Sequence, residues 1–329
     1  MCVQAVATVF SPLDAAWELD EGLYGGELKH NMAWLCGLLP YGQAAQVMAR
    51  IGKRPVSDSS LWRLAQKVGR VLKEQTPLGQ KPDAQPGITD ESVEPDTRLL
   101  SMDGGMVNIE GEGWKELKVG LVGTVIADES ASGDDLPSVH TAAAHYCAVL
   151  GDVSAFTPVL LDLARRTGFE ETGRSCITAD GAAWIWKLAD SHFPDSVQIV
   201  DYYHARQHLS LAAQVLFPDR PARANAWFHA HTDALFDGHL QPIMAELQQA
   251  GVTDSVAYFQ NHQARMNYAD FQKEGYPIGS GSVESEVKQF KHRLDGPGMY
   301  WSRPGAENMI LIRAAVLDGS FDTRWARAA

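Results

Sequence analysis

Three acidic residues stand where carboxylates can hold divalent cations. Asp103 ends an apolar run and precedes Gly104-Gly105, Asp180 ends the run Ser175 to Ala179 and precedes Gly181, and Glu284 follows Gly279-Ser280-Gly281-Ser282. Carboxylates are hard oxygen ligands suited to Mg²⁺ or Mn²⁺. Two such ions, about 3.5–4 Å apart, serve phosphoryl transfer by activating the attacking oxygen and stabilising the departing one. Each acid also has a plainer use. Asp103 suits a turn with its two glycines, Asp180 suits a helix N-cap, and Glu284 suits the surface near a helix N-terminus. Glu284, Lys288 and Lys291 share one helix face at spacings of four and seven, which suits an acid site that receives a phosphate backbone.

The elements that must position these residues follow from hydrophobic periodicity. Arg98 to Asp103 reads as a strand stopped by the glycines, Trp114 to Ala127 as a second strand and His140 to Leu150 as a third. Asp152 to Gly168 reads as a helix, Ser175 to Ala179 as a short buried strand, Ala182 to His192 as a helix and Val197 to Val200 as a last strand ending at Asp201. Three strands, helix, strand, helix, strand predicts an α/β mixed sheet covered by helices. Arg206 to about Gln272 reads as mostly helical, and Gly281 to Leu294 as one more helix with Val283, Val287, Phe290 and Leu294 on its apolar side.

The N-terminal part has helical patterning to about Gln75. Tyr41 to Ile51 is one helix, Gly52 to Pro55 a break, and Ser57 to Ser60 a choice of N-caps before a second helix. Leu61, Leu64, Ala65, Val68, Val71 and Leu72 line one face of that helix, and Arg63, Lys67 and Arg70 another. A helix, turn and helix with a basic stripe fits helix-turn-helix DNA binding; an ordinary helical hairpin with a solvated face fits the same pattern. Residues 77–97 carry four prolines among acidic residues, the composition of a linker.

Bulk composition sets limits. The formal net charge of -13 opposes nucleic-acid binding by the chain as a whole, so phosphate contacts must be local. Cys2, Cys36, Cys147 and Cys176 contain no C-x-x-C pair, which speaks against a zinc ribbon or finger. No apolar run approaches the roughly 18 residues of a membrane span, and the first ten residues lack the basic start of a signal peptide. A cytoplasmic, nucleoid-associated protein is the expectation.

The segments Ser101-Met-Asp-Gly-Gly-Met-Val with Trp114-Lys-Glu-Leu-Lys-Val-Gly, Ala179-Asp-Gly-Ala-Ala-Trp-Ile-Trp and Ile199-Val-Asp-Tyr-Tyr-His-Ala-Arg-Gln-His-Leu occur in that order. They are followed by Tyr276-Pro-Ile-Gly-Ser-Gly-Ser-Val-Glu-Ser and Met299-Tyr-Trp-Ser-Arg-Pro-Gly-Ala-Glu. Together they resemble bacterial insertion-sequence transposases of the ISKra group, which are Mutator-like, and the resemblance runs from about Phe10 to the C-terminus. It implies an RNase H-like mixed five-stranded sheet flanked by helices, with a DDE triad of Asp103, Asp180 and Glu284 binding two Mg²⁺ (or Mn²⁺) ions. It further implies an α-helical insertion before the glutamate and adds weight to the helix-turn-helix over residues 41–73. The expected domains are 1–76 for DNA binding, 77–97 as linker, 98–204 and 275–329 as the two parts of the catalytic core, and 205–274 as the insertion. Asp201 and His204 match an accessory motif, which places Asp201 near the metal site; His204 and His208, four apart, suit a metal-binding pair, and a structural contact between core and insertion fits them better. Lys288, Lys291 and Arg303 join Arg63, Lys67 and Arg70 as expected DNA contacts, with His292 as a further candidate and Trp301 suited equally to DNA contact and to the core. The expected partners are the element's terminal repeats, target DNA and further copies of the chain in a synaptic complex, with no membrane. Relative to the family, the cysteine-rich N-terminal segment is missing and the acidity is unusual. Both features raise the alternative of a truncated or inactive DNA-binding remnant, and another RNase H-like nuclease or resolvase is a weaker alternative.

Overall fold

The computed structural model describes residues 24–75, 97–127, 139–171, 173–279, 281–296 and 299–326; the side chains of residue 127 and residues 281–287 are outside that description. The expected linker therefore lies almost wholly outside the described residues. The chain divides into two compact units, residues 78–295 and residues 1–77 with 296–329.

The larger unit is built on one mixed sheet of strand order β3-β2-β1-β4-β5. Its strands are β1 (Arg98–Ile109), β2 (Gly113–Ala127), β3 (Val139–Leu150), β4 (Ser175–Ala179) and β5 (Val197–Val200). β1, β2 and β3 are antiparallel neighbours, whereas β4 lies parallel to β1 and β5 parallel to β4. The predicted mixed five-stranded sheet flanked by helices is thus present. One strand differs from expectation, because β1 does not stop at Gly104-Gly105. Both glycines pair with β2, opposite Lys118 and Leu117. A two-residue weakness in strand propensity yields to a long hairpin that pairs every residue from Arg98 to Ile109.

Helix α1 (Val153–Arg166) begins at the predicted place, because the Asp152 carboxylate accepts the Ala155 N–H at 3.1 Å as N-cap. It packs on β2 and β3. Gly120 makes that approach possible: a Cβ there would stand 2.5 Å from Leu160 and 3.1 Å from Phe156. Helix α2 (Ala183–His192) follows β4, and α3 (Tyr202–Leu216) follows β5. The predicted helical stretch then appears as α4 (Pro221–Phe236), α5 (Leu240–Gln249), α6 (Thr253–His262), a single 3-10 turn (Gln263–Arg265) and α7 (Tyr268–Lys273). These helices share the sheet's core: Leu209, Leu235, Ile243, Phe259 and Tyr268 belong to the same buried cluster as Leu99, Ile177 and Ile199. Trp227 on α4 donates its indole N–H to Glu246 on α5 at 2.6 Å, tying the two helices at their rim. Helix α8 (Gly281–Leu294) returns to pack on β1 and β2, with Phe290 and Leu294 buried. No helix among the described residues is long and apolar enough to cross a membrane.

The smaller unit contains α9 (Gly26–Leu38), α10 (Tyr41–Arg50), α11 (Asp58–Glu74), α12 (Arg303–Leu317) and α13 (Phe321–Ala326). Residues 275–329 were expected to return together to the sheet, but the chain from Gly296 onward groups with the N-terminal helices instead. The reason is the packing of α12 on α11 and α9. The two helices α11 and α12 meet at Gly69, where a Cβ would stand only 2.4 Å from the Asn308 Cβ. Beside it the Asn308 amide donates to Gln66 at 2.8 Å. Overpacking of this kind costs about 1–3 kcal/mol, so Gly69→Ala is expected to lower stability by that amount in urea denaturation. An unchanged midpoint would mean that the crossing is looser than its geometry indicates. Trp301 is buried in this unit, its ring 6.3 Å from that of Tyr41, which makes it a core residue rather than a DNA contact.

Candidate functional site

The parallel pairing of β1 with β4 aligns Arg98 with Ser175 and Leu100 with Ile177. Residues 77 positions apart therefore stand side by side, and the Ser101 hydroxyl donates to the Thr178 carbonyl at the same offset. The same offset of 77 matches Asp103 to Asp180, three residues beyond the last paired residues Leu100 and Ile177. The pairing of β4 with β5 aligns Ala179 with Val200, which brings Asp180 level with Asp201. Alternation along each strand puts all three carboxylates on one face. Asp180 and Asp201 directly follow the carboxyl ends of the parallel strands β4 and β5, where open sheets hold their ligands.

Each acid is held by a backbone donor just downstream. Asp103 accepts the Gly104 N–H at 2.6 Å, Asp180 the Ala182 N–H at 2.8 Å and Asp201 the His204 N–H at 2.7 Å. Asp201 is the N-cap of α3 and is buried. Asp180 is not the N-cap of α2, which starts one turn later at Ala183 with Ala182 in that position. Its bond to the Ala182 N–H closes a tight turn before the helix. Asp103 and Asp180 are half-buried.

The segment that precedes the third predicted acid is tied to the strand ends through its backbone. Thr178 donates its hydroxyl to the Pro277 carbonyl at 3.0 Å, and the Tyr202 N–H donates to the Ile278 carbonyl at 2.8 Å. Thr178 shares the face of the three aspartates, so the segment entering α8 runs over that face. Gly279 makes close passage possible: a Cβ there would stand 3.0 Å from the Tyr203 ring and 3.9 Å from Asp201 Oδ2. Glu284 lies in the first turn of α8, six residues beyond Ile278. Its side chain is outside the described residues.

Among the described residues no group of three or more His, Cys, Asp and Glu is gathered closely enough to hold a metal ion. Carboxylates are hard oxygen donors, and the helix that bears Glu284 packs on β1 and β2. The His204 and His208 rings lie 5.3 Å apart. His208 is stacked on Tyr258 at 3.7 Å between ring centroids, and burial holds its pKa below the usual imidazole range. His208 thereby joins α3 to α6.

The predicted basic residues fall in two places. Lys288 is exposed and Lys291 half-buried on α8, and His292 is exposed beside them. Arg63, Lys67 and Arg70 are all exposed on α11 in the smaller unit, and Arg303 is the first residue of α12 in that same unit. Tyr258 and His262, which lie beside the turn after Asp180, were not singled out in the sequence, whereas Trp186 closes the quoted segment Ala179 to Trp186. Tyr258 and His262 stand in helical stretches, and no spacing links them to Asp180.

No protein-family model matches the chain, and no curated protein matches it either.

Proposed function

We propose that the chain is a DDE transposase of an insertion sequence, cutting DNA at element ends and joining them to target DNA. The observation that carries this reading is the level placement of Asp103 and Asp180 on adjacent parallel strands, with the glutamate-bearing helix α8 packed on β1. The strand order β3-β2-β1-β4-β5, with three antiparallel strands followed by two parallel ones, supports an RNase H-like core. The helices from α3 to α7, inserted between β5 and the glutamate, support the Mutator-like variant of that core.

Asp103, Asp180 and Glu284 would hold the cations. Two Mg²⁺ ions, when bound, would activate the attacking oxygen and stabilise the 3′ oxygen that leaves. The backbone N–H groups of Gly104 and Ala182 hold the two aspartate carboxylates in fixed orientations, which would remove reorganisation from the reaction. Lys288 and Lys291 would draw the phosphate backbone along α8. Hydrolysis breaks the P–O3′ bond at the element's end as water adds to phosphorus. In joining, the freed 3′-OH adds to a target phosphate and expels the target's own 3′ oxygen. Both steps are in-line displacements at phosphorus, so one site serves both, mainly by positioning. Arg63, Lys67 and Arg70 would grip the terminal repeat in helix-turn-helix fashion, and synapsis of two ends would join copies of the chain.

The test is incubation of the purified protein with duplexes carrying the element's terminal repeats, with and without Mg²⁺. A nick at the element boundary that requires Mg²⁺, followed by joining to a target duplex, is the expected result. Specific binding to the ends with no cleavage under any divalent cation would make the chain an inactive remnant, and cleavage without joining would make it a nuclease.

A further inference from the structure

A cleft of about 640 Å³ opens between α2, α3 and α6, directly beyond the Asp180 turn. Gly181 is the link between the turn and the cleft: a Cβ at this position would stand 2.6 Å from the Tyr258 ring. The wall carries four aromatic side chains, Trp186, His208, Tyr258 and His262. His208 and Tyr258 are stacked nearly parallel, and the Tyr258 and His262 rings lie 5.0 Å apart. Three buried polar atoms of this wall, Trp186 Nε1, Tyr258 OH and His262 Nδ1, have no hydrogen-bond partner among the described residues. Trp186 is 4% and His262 7% exposed. Groups so placed are costly to the free fold and are rare without a reason. Asn261 adds an amide to the same lining.

The charges at the cleft are balanced. Lys187 and Arg265 are offset by Asp190 and Asp254, and the Arg265 guanidinium lies 3.4 Å from Asp190. A phosphate finds no net positive field here. A flat, neutral ring with donors and acceptors along its edge does suit the lining, and the volume is that of a small-molecule pocket. We infer that this cleft binds an unpaired nucleobase of the DNA strand being processed, seating it against the His208–Tyr258 stack beside Asp180. The inference rests on the strand-transfer reading above, in which the phosphate under attack lies at Asp103 and Asp180. A base next to that phosphate, once out of its stack, meets the cleft first. Holding it there would fix the position of the backbone.

The test compares binding of a fluorescein-labelled single-stranded oligodeoxyadenylate with that of a strand of equal length and phosphate count but abasic in its centre. Wild type is expected to prefer the base-bearing strand by roughly tenfold, the worth of one stacked base. His208→Ala should remove most of that preference. Tyr258→Phe keeps the ring and removes only the unpartnered hydroxyl. It should reduce the preference several-fold without lowering the thermal midpoint, whereas a structural hydroxyl would lower the midpoint. Equal binding of the two strands by wild type, or a preference unchanged in both variants, overturns the inference. So does displacement of the strand by adenosine monophosphate at concentrations too low to act through ionic strength, which would assign the cleft to a free nucleotide. Mg²⁺-dependent cleavage is measured on the same preparations. Cleavage without base preference removes the cleft's role and leaves the transposase reading intact, and base preference without cleavage does the reverse.

Discussion

Asp103→Asn, Asp180→Asn and Glu284→Gln are each expected to abolish DNA cleavage and joining, by at least about a thousandfold, while the fold and DNA binding persist. The scale is that of losing one fixed electrostatic element from a phosphoryl-transfer site. The geometry makes these substitutions informative. Asp103 and Asp180 each accept a backbone N–H, from Gly104 and Ala182. An asparagine amide oxygen can accept the same bond, so the local backbone contacts survive and only the negative charge is removed. If the two aspartates served only those contacts, their variants would cleave normally. Asp201 supplies the control. It stands level with Asp180, but it caps α3 through the His204 N–H. Asparagine is as good an N-cap as aspartate, so Asp201→Asn should fold and reduce cleavage less than the other two aspartate variants. An inactive Asp201→Asn beside an active Asp180→Asn would move the second ligand from β4 to β5. Cleavage rates with Mg²⁺ and with Mn²⁺, read beside thermal midpoints, check the whole set.

How far the site was legible in the sequence depends on the range of the interaction. Ser175 to Ala179 and Val197 to Val200 appear as predicted, because short apolar runs bounded by aspartates and turn residues leave little choice. The end of β1 was misread because Gly104-Gly105 is locally a stop signal, and only the partner strand shows otherwise. The alignment of Asp103 with Asp180 is a matter of register. Two strands separated by a hairpin, a third strand and a helix carry no local mark of which residues will stand side by side. The partnership of residues 296–329 with the N-terminal helices is equally non-local, since Asn308 and Gln66 are 242 residues apart in the chain. The helical reading of Gly281 to Leu294 was correct because Phe290 and Leu294, one turn apart, both face inward. The cleft beside Asp180 was only half legible: Trp186 and His208 lie in the quoted segments, but Tyr258 and His262 come from a third helix that meets them only in the fold.

Replacing Arg63, Lys67 and Arg70 together with alanine is expected to weaken DNA binding by about two orders of magnitude at low salt and to flatten its salt dependence. A chain with a formal net charge of -13 is repelled by DNA at long range, so affinity must come from a local basic surface. On α11 the buried residues Leu61, Ala65, Val68 and Leu72 face the unit's core, and Arg63, Lys67 and Arg70 follow the opposite, exposed side at spacings of four and three. Arg50, Lys53 and Arg54, also exposed, extend the charge into the connection before the helix. That connection, residues 51–57, is longer than the turn of about three or four residues in a standard helix-turn-helix. The exposed stripe therefore supports the DNA role better than the turn does. Each phosphate contact contributes about 0.9 to the slope of log affinity against log salt. Loss of three contacts should then make the slope shallower by about 2.7. Lys73 on the same helix is an internal control: it lies 3.4 Å from Glu307, so Lys73→Ala should change the slope less than any one of the three. Fluorescence anisotropy with a labelled duplex across a salt series measures both quantities. A triple variant that loses affinity with an unaltered slope would place the phosphate contacts elsewhere and reduce the α11 stripe to a solvated helix face.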